Sequence, residues 1–494
     1  MKGYQGIAKT LADEGVNVVF GLMAIDNMPL MAEIQKHGIR VIRSRTEHGA
    51  VCMADGYARV TGRPGVVSVG DGPGAAFTAV ALMTASRRRS PVLLISADTP
   101  KDEPGNIKHF DQEGYFGVTG APCFSAHDGA SLSGALHSAF SRTTAGIGPA
   151  VVNCDLALLE GDLPDGWSPV VSTPATAEAA PTATIDAAVA VLTNARRPLI
   201  LLGRGGLGAK AETSALADRL GAAIGTTLQA DGALSDHRRN IGLVGGLGTP
   251  ATKELLTQVD AILAVGASLT TFTTDFGRIF SPGAKVVHLD HDAEAAHPSI
   301  AVDITVPGDA GVALRQILDA LGSEPGTASW PDELAPSEPA VPEVEYTRET
   351  GQLDPREFLD IFQVEAPQDR VVVTDAGHAV FFVLDRIPNR DPASRIWGAD
   401  FSAMSVAIPL AIGAAVADPT RPVVAFLGDG AFMMSPSEID TAVRESIPVT
   451  FVVLNDEAYG AEVHYLANWS LPPTSPFSTP PIWRRSRRLW AQKA

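Results

Sequence analysis

Cysteine is scarce, with three in 494 residues, and Cys52, Cys123 and Cys154 are far apart and odd in number. This excludes a disulfide framework and any CxxC metal or redox pair, and it fits the cytoplasm. Positive charge is also short: 38 Lys and Arg stand against 56 Asp and Glu, a formal net charge of -18. Duplexes and anionic membranes need a basic surface, so nucleic-acid and membrane partners are excluded and a small-molecule substrate is expected. No apolar run approaches the roughly 18 residues of a membrane span. Met1 to Gln5 opens into helix-like sequence with no signal-peptide apolar region, so the chain is expected to be neither exported nor inserted.

What is present is an apolar fraction of 45% with 19% charged residues, in a chain long enough for about three domains. Two polar, Pro-rich stretches divide it: 161–181, with Pro164, Pro169, Pro174 and Pro181, and 322–355, with six prolines among acidic residues. Around them short β-branched runs alternate with Ala-rich helical patterns, as βαβ units require. The strands expected are 66–69, 92–96, 198–202, 261–265, 286–289, 371–374, 423–427 and 449–454, apolar enough for burial on both faces. The fold class is α/β, with three doubly wound parallel-sheet domains in series at 1–165, 182–322 and 355–473, then an aberrant tail, 474–494.

The sharpest chemical signal is in the third domain. The apolar strand 423–427 runs into Gly428-Asp429-Gly430-Ala431, whose glycines and free amides suit a phosphate. Alone, Gly-Asp-Gly reads as a plain turn. A helical stretch, Ser437 to Glu445, leads to a second strand ending in Asn455-Asp456-Glu457-Ala458-Tyr459, so both loops lie at one carboxyl edge of a parallel sheet. Asp429 and Asp456 are one βαβ repeat apart, and two carboxylates beside a diphosphate call for a hard divalent cation, which favours Mg²⁺.

Here the sequence resembles the thiamine-diphosphate enzyme family, whose signature is Gly-Asp-Gly, a spacer of this length, then Asn-Asn or Asn-Asp. The first domain supplies the remaining pattern: Glu47-His48-Gly49-Ala50, Ala54-Asp55-Gly56-Tyr57-Ala58-Arg59, Thr61-Gly62 and Gly72-Pro73-Gly74, in an order similar to the acetolactate synthase branch. The resemblance implies a pyrimidine-binding first domain, a middle transhydrogenase-like domain and a diphosphate-binding third domain. It implies Asp429, Asp456 and the Ala458 carbonyl as Mg²⁺ ligands, and Glu47 as the acid bonded to the aminopyrimidine that activates the cofactor. An ordinary helix-start charge is the alternative for Glu47. Cofactor contacts are implied for Gly72, Pro73 and Gly74, for Gly377 and His378 in Asp375-Ala376-Gly377-His378, for Gly428, Gly430, Ala431 and Tyr459, and for Met404 as the wedge that bends the cofactor. A buried Met is more often plain core filler, so the role of Met404 rests on the resemblance alone, and His378 could equally be a structural histidine. His48, His109 and Gln112 are weaker candidates.

In the middle domain, Leu201-Leu202-Gly203-Arg204-Gly205-Gly206 and Ala264-Val265-Gly266-Ala267-Ser268 fall short of a dinucleotide fingerprint, so packing is the default and FAD stays an open option. Three positions depart from the family: Thr46 where His is usual, Asp71 where Ser is usual and Ser405 where Gly is usual. The resemblance stops near Pro473. The tail holds Arg484, Arg485, Arg487, Arg488 and Lys493 without an acid; it reads either as a basic tail for an anionic partner or as a frameshift that replaces a last helix and strand. The resemblance implies decarboxylation of a 2-oxo acid with carboligation to a second carbonyl, in a homodimer or homotetramer with its active site at the subunit interface. The alternatives are a non-ligating decarboxylase and a catalytically silent homologue.

Overall fold

Short apolar runs that are greasy on both faces become strands of covered parallel sheets. In the computed structural model, which describes residues 1–99, 105–173, 177–292, 296–297, 300–322, 326–334, 345–346 and 353–471, they form three sheets. The tail 474–494 and most of the stretch 322–355 lie outside the described residues.

The first sheet has β1 (Val18–Gly21), β2 (Arg40–Arg43), β3 (Gly65–Val69), β4 (Val92–Asp98), β5 (Cys123–Ala126) and β6 (Ala150–Asp155), in the order β2-β1-β3-β4-β6-β5. The second has β7 (Pro198–Leu202), β8 (Ala223–Thr226), β9 (Asn240–Leu243), β10 (Ala261–Val265), β11 (Lys285–Asp290) and β12 (Ile304–Pro307), in the order β12-β11-β10-β7-β8-β9. The third has β13 (Val371–Thr374), β14 (Arg395–Trp397), β15 (Val423–Gly428) and β16 (Thr450–Leu454), in the order β14-β13-β15-β16. Every pairing between these strands is parallel, so the chain is three parallel-sheet α/β domains in series.

The second sheet belongs to one compact unit, and the first and third sheets share the other. In the shared unit one core runs from Val51, Met53 and Ala54 through Ile408, Leu410 and Ala411 to Val373 and Val423. Its axis is the helix Ala407–Ala417, apolar on every side and therefore buried, packed on the helix Glu47–Thr61. Two glycines permit the approach: a Cβ on Gly56 would sit 2.1 Å from the Leu410 carbonyl oxygen, and one on Gly413 1.9 Å from that of Met53. Arg59 fastens the same joint, with its buried guanidinium on Asp55, on Asp400 and on the Trp397 carbonyl. The Ala54–Arg59 motif is thus an anchor between domains.

In the middle domain the glycine loops after β7 and β10 interlock, Gly203 N donating to Val265 O and Gly205 N to Gly266 O. A Cβ on Gly203 would lie 2.2 Å from Gly266 O, so these glycines are accounted for by packing. The three cysteines are free thiols. Among the described residues no helix is long and apolar enough to cross a membrane.

Candidate active site

The third sheet's strand order reverses between β13 and β15, where loops leaving the carboxyl ends diverge and open a crevice. One pocket there is lined by Gly377, His378, Met404, Gly428, Asp429, Gly430, Ala431, Asp456, Ala458 and Tyr459, so all the third-domain candidates come together. β15 passes directly into the helix Asp429–Met434, which aims the first-turn amides at the crevice. Asp375 ties the segments: its buried carboxyl accepts from Ala376 N and Ala407 N, both at 2.8 Å, joining the His378 loop to the end of the Met404–Val406 segment. Burial pushes the Asp375 carboxyl up to about 6.

Asp429 is buried and its Oδ1 has no hydrogen-bond partner. Burial first, then the charge of Asp456, pushes its carboxyl up to about 6. His378 Nε2 lies 3.5 Å from Asp456 Oδ2, and its ring meets His464 edge-on. Close packing explains two glycines: a Cβ on Gly430 would be 2.6 Å from the Tyr459 ring, and one on Gly460 2.0 Å from His378 Cε1. Among the described residues no group of three His, Cys, Asp or Glu side chains could hold a metal alone. An orphaned buried carboxylate oxygen and a second carboxylate, at the start of the helix Asp429–Met434, fit a divalent cation whose remaining ligands would come from a carbonyl and a diphosphate.

Glu47 opens the helix Glu47–Thr61, capped by Thr46, whose Oγ1 accepts from Gly49 N at 2.9 Å. Gly74 lies against it, a Cβ there falling 3.3 Å from Glu47 Oε1. Gly72 sits at φ 56° and is pressed by Lys108, where a side chain would collide. Gly72 N donates to Gln112 Oε1 at 2.6 Å, while Gln112 Nε2 holds Ala97 O and Asn153 Oδ1. Gln112 therefore braces the Gly-Pro-Gly turn. Burial raises the Glu47 carboxyl above its ordinary value, with help from the charge of Glu438. Glu47, Gly72, Pro73 and Gly74 form a second cluster and do not line the pocket around Asp429.

The three departures have structural counterparts. Thr46 is the helix cap. Ser405, at φ 82°, keeps the left-handed conformation natural to glycine and places its hydroxyl 3.2 Å from His48 Nε2; burial holds His48 below its ordinary pKa. Asp71 joins a bridge in which the half-exposed Lys108 Nζ contacts the buried acids Asp26 at 2.7 Å and Asp71 at 2.8 Å, with Thr99 Oγ1 donating to Asp71. This bridge lies where the first sheet's order reverses, between β1 and β3. His109 is exposed. Sequence reasoning missed Glu438, fully buried in the helix Glu438–Arg444. Its only signal is an acid at a helix start.

Family models for the thiamine pyrophosphate enzymes match the chain in order: the N-terminal TPP binding domain over residues 1–120, the central domain over 185–317 and the C-terminal TPP binding domain over 375–477. The chain belongs to the thiamine pyrophosphate enzyme family. Within it the similarity is to the acetolactate synthase-like branch. A probable acetolactate synthase large subunit of Methanocaldococcus jannaschii is 28% identical, covering 93% of this chain and 81% of that protein. The acetolactate synthase isozyme 2 large subunit of Escherichia coli is 29% identical over 93% of this chain and 84% of its own. Sulfoacetaldehyde acetyltransferase of Castellaniella defragrans is 30% identical, with 93% and 81% covered.

Proposed function

We propose that this thiamine-diphosphate-dependent enzyme uses Mg²⁺, decarboxylates a 2-oxo acid and joins the remaining fragment to a second carbonyl compound. The observation that carries the reading is Asp429, a buried carboxylate with an unpartnered oxygen, in a crevice it shares with a second carboxylate, Asp456. Asp429, Asp456 and the Ala458 carbonyl would hold the cation, and amides of Gly428 to Ala431 the diphosphate. Gly377 and His378 would border the diphosphate, and Met404 and Tyr459 the cofactor's apolar body. Bound thiamine diphosphate supplies an electron sink for cleavage next to a carbonyl. Glu47, raised by burial, would keep its proton nearer neutrality than an exposed glutamate and donate it to a ring nitrogen of the aminopyrimidine. Gly72, Pro73 and Gly74 would leave that ring room to approach. Because Glu47 does not line the Asp429 pocket, the complete site would draw Glu47 from one copy and Asp429 from another, in at least a homodimer.

Acyl transfer to another class of acceptor is a second reading, favoured by the similarity to sulfoacetaldehyde acetyltransferase. Thermal unfolding with thiamine diphosphate, with and without Mg²⁺, tests the site, since a ligand at 100 times its dissociation constant adds about 2.7 kcal/mol. A rise that needs Mg²⁺ and vanishes in Asp429→Asn is expected. A rise equal in both proteins would remove the metal assignment. Product analysis with a 2-oxo acid alone and with added acceptors separates ligation from simple decarboxylation and from acyl transfer.

A further inference from the structure

The reaction read above needs Glu47 to present its carboxyl at a fixed angle, yet the helix Glu47–Thr61 does not set that angle by itself. The residues before it, Arg45 and Thr46, leave backbone donors that the helix cannot satisfy. Glu438, reaching over from the third domain, satisfies both. Arg45 N donates to its two oxygens at 3.2 and 3.1 Å, and Thr46 N donates at 2.9 Å. Thr46 Oγ1 donates at 2.8 Å to one oxygen and Thr441 Oγ1 at 2.8 Å to the other. Every partner is a donor, and the side chain is shut away from solvent. Gly49 leaves the doorway: a Cβ there would stand 2.1 Å from Glu438 Oε1. The glycine two places after Glu47 is thereby accounted for by this carboxylate.

We propose that Glu438 is the positioning residue for Glu47, its carboxylate fixing the Arg45–Thr46 backbone from which the reactive side chain departs. This rests on the reading of Glu47 as the acid that serves the cofactor. The same carboxylate adds negative charge next to Glu47 and raises it further. Neighbouring charges are largely engaged elsewhere: Arg45 and Arg444 on Asp440, Arg43 on Glu445, and Arg59 on Asp55 and Asp400. His48 turns its Nε2 to Ser405 and Cys52. Glu438 is therefore the nearby charge through which Glu47 is tuned.

The test compares Glu438→Gln, which keeps the shape and removes the charge, with Glu438→Asp, which keeps the charge and withdraws the carboxylate by one methylene. The first readout is the carboxyl titration of Glu47 by ¹³C NMR in protein free of thiamine diphosphate, assigned with Glu47→Gln. The second is the split between kcat and KM. In Glu438→Gln, Glu47 should titrate at lower pH. In both variants kcat should fall on the order of tenfold to a hundredfold, as for a small misplacement of a reacting group, with KM little changed. Gly49→Ala, which pushes the same carboxylate away, should share the loss of kcat. A folded Glu438→Gln with wild-type Glu47 titration and kcat overturns the proposal. If that variant does not fold, wild-type kcat in Glu438→Asp overturns it instead. Normal turnover by Glu47→Gln would instead sink the role of Glu47 itself, a different result.

Discussion

Ser405 sits in a backbone conformation that costs an L-residue about 1 kcal/mol relative to glycine, and recovers a similar amount through its hydroxyl on His48. Ser405→Gly should therefore unfold at the same temperature or slightly higher. Ser405→Ala, which keeps the strain and loses the bond, should be about 1 kcal/mol less stable by denaturant titration. Asp429 makes a pH prediction. Its carboxyl is raised from 3.8 to about 6, burial coming first and Asp456 second, so between those values the folded state holds more protons than the unfolded one. The stability this group contributes is full below 3.8 and is lost as pH rises through about 6. If Asp429 holds Mg²⁺ as proposed, the metal would compete with that proton, and its stabilisation should fade below about pH 6. Thermal unfolding across pH, with and without Mg²⁺, checks this. Asp429→Asn separates it from Asp375, which is also raised to about 6.

At the scale of elements, the joint between the helices Glu47–Thr61 and Ala407–Ala417 depends on Arg59, whose side chain is 3% exposed between two acids. Arg59→Met would strand two buried carboxylates and should cost about 3–5 kcal/mol, visible as a lower denaturant midpoint. Nothing in Ala54–Arg59 as a string distinguishes such an anchor from a cofactor contact, because Asp400 and Trp397 are more than three hundred residues away. The same limit hid Glu438. Buried central strands were legible: 198–202, 261–265 and 371–374 coincide with β7, β10 and β13 to the residue. Strands such as β2, with charged ends, β8, with glycine inside, and the three-residue β14 are too short or polar to stand out, and their place is set by pairing with a neighbour. Around the pocket, the spacing of one βαβ repeat made the pairing of Asp429 with Asp456 legible, whereas Gly377, His378, Met404 and Tyr459 came only from the family resemblance. The left-handed turn at Ser405 was not, since sequence displays no dihedral angle.

At the scale of the whole molecule, the separation of Glu47 from the Asp429 pocket gives a prediction about copies. If two chains complete each other's sites, Glu47→Gln and Asp429→Asn should each be inactive alone. Unfolded and refolded together, they should recover about a quarter of wild-type sites, because half the dimers are hybrid and one of their two sites is intact. No recovery in mixed dimers would place both residues of a site on one chain.

The first and third sheets run through the same order at their centres, β2-β1-β3-β4 and β14-β13-β15-β16. They are topological twins, and each has a crevice where the order turns back. In one twin Lys108 plugs the gap by bridging Asp26 and Asp71; in the other the gap is open and ringed by amides and carboxylates. On the proposed function, one lysine shared by two acids closes the crevice of one of two like-ordered sheets, so that the open sheet would hold the ligand and the closed one would lend it an acid.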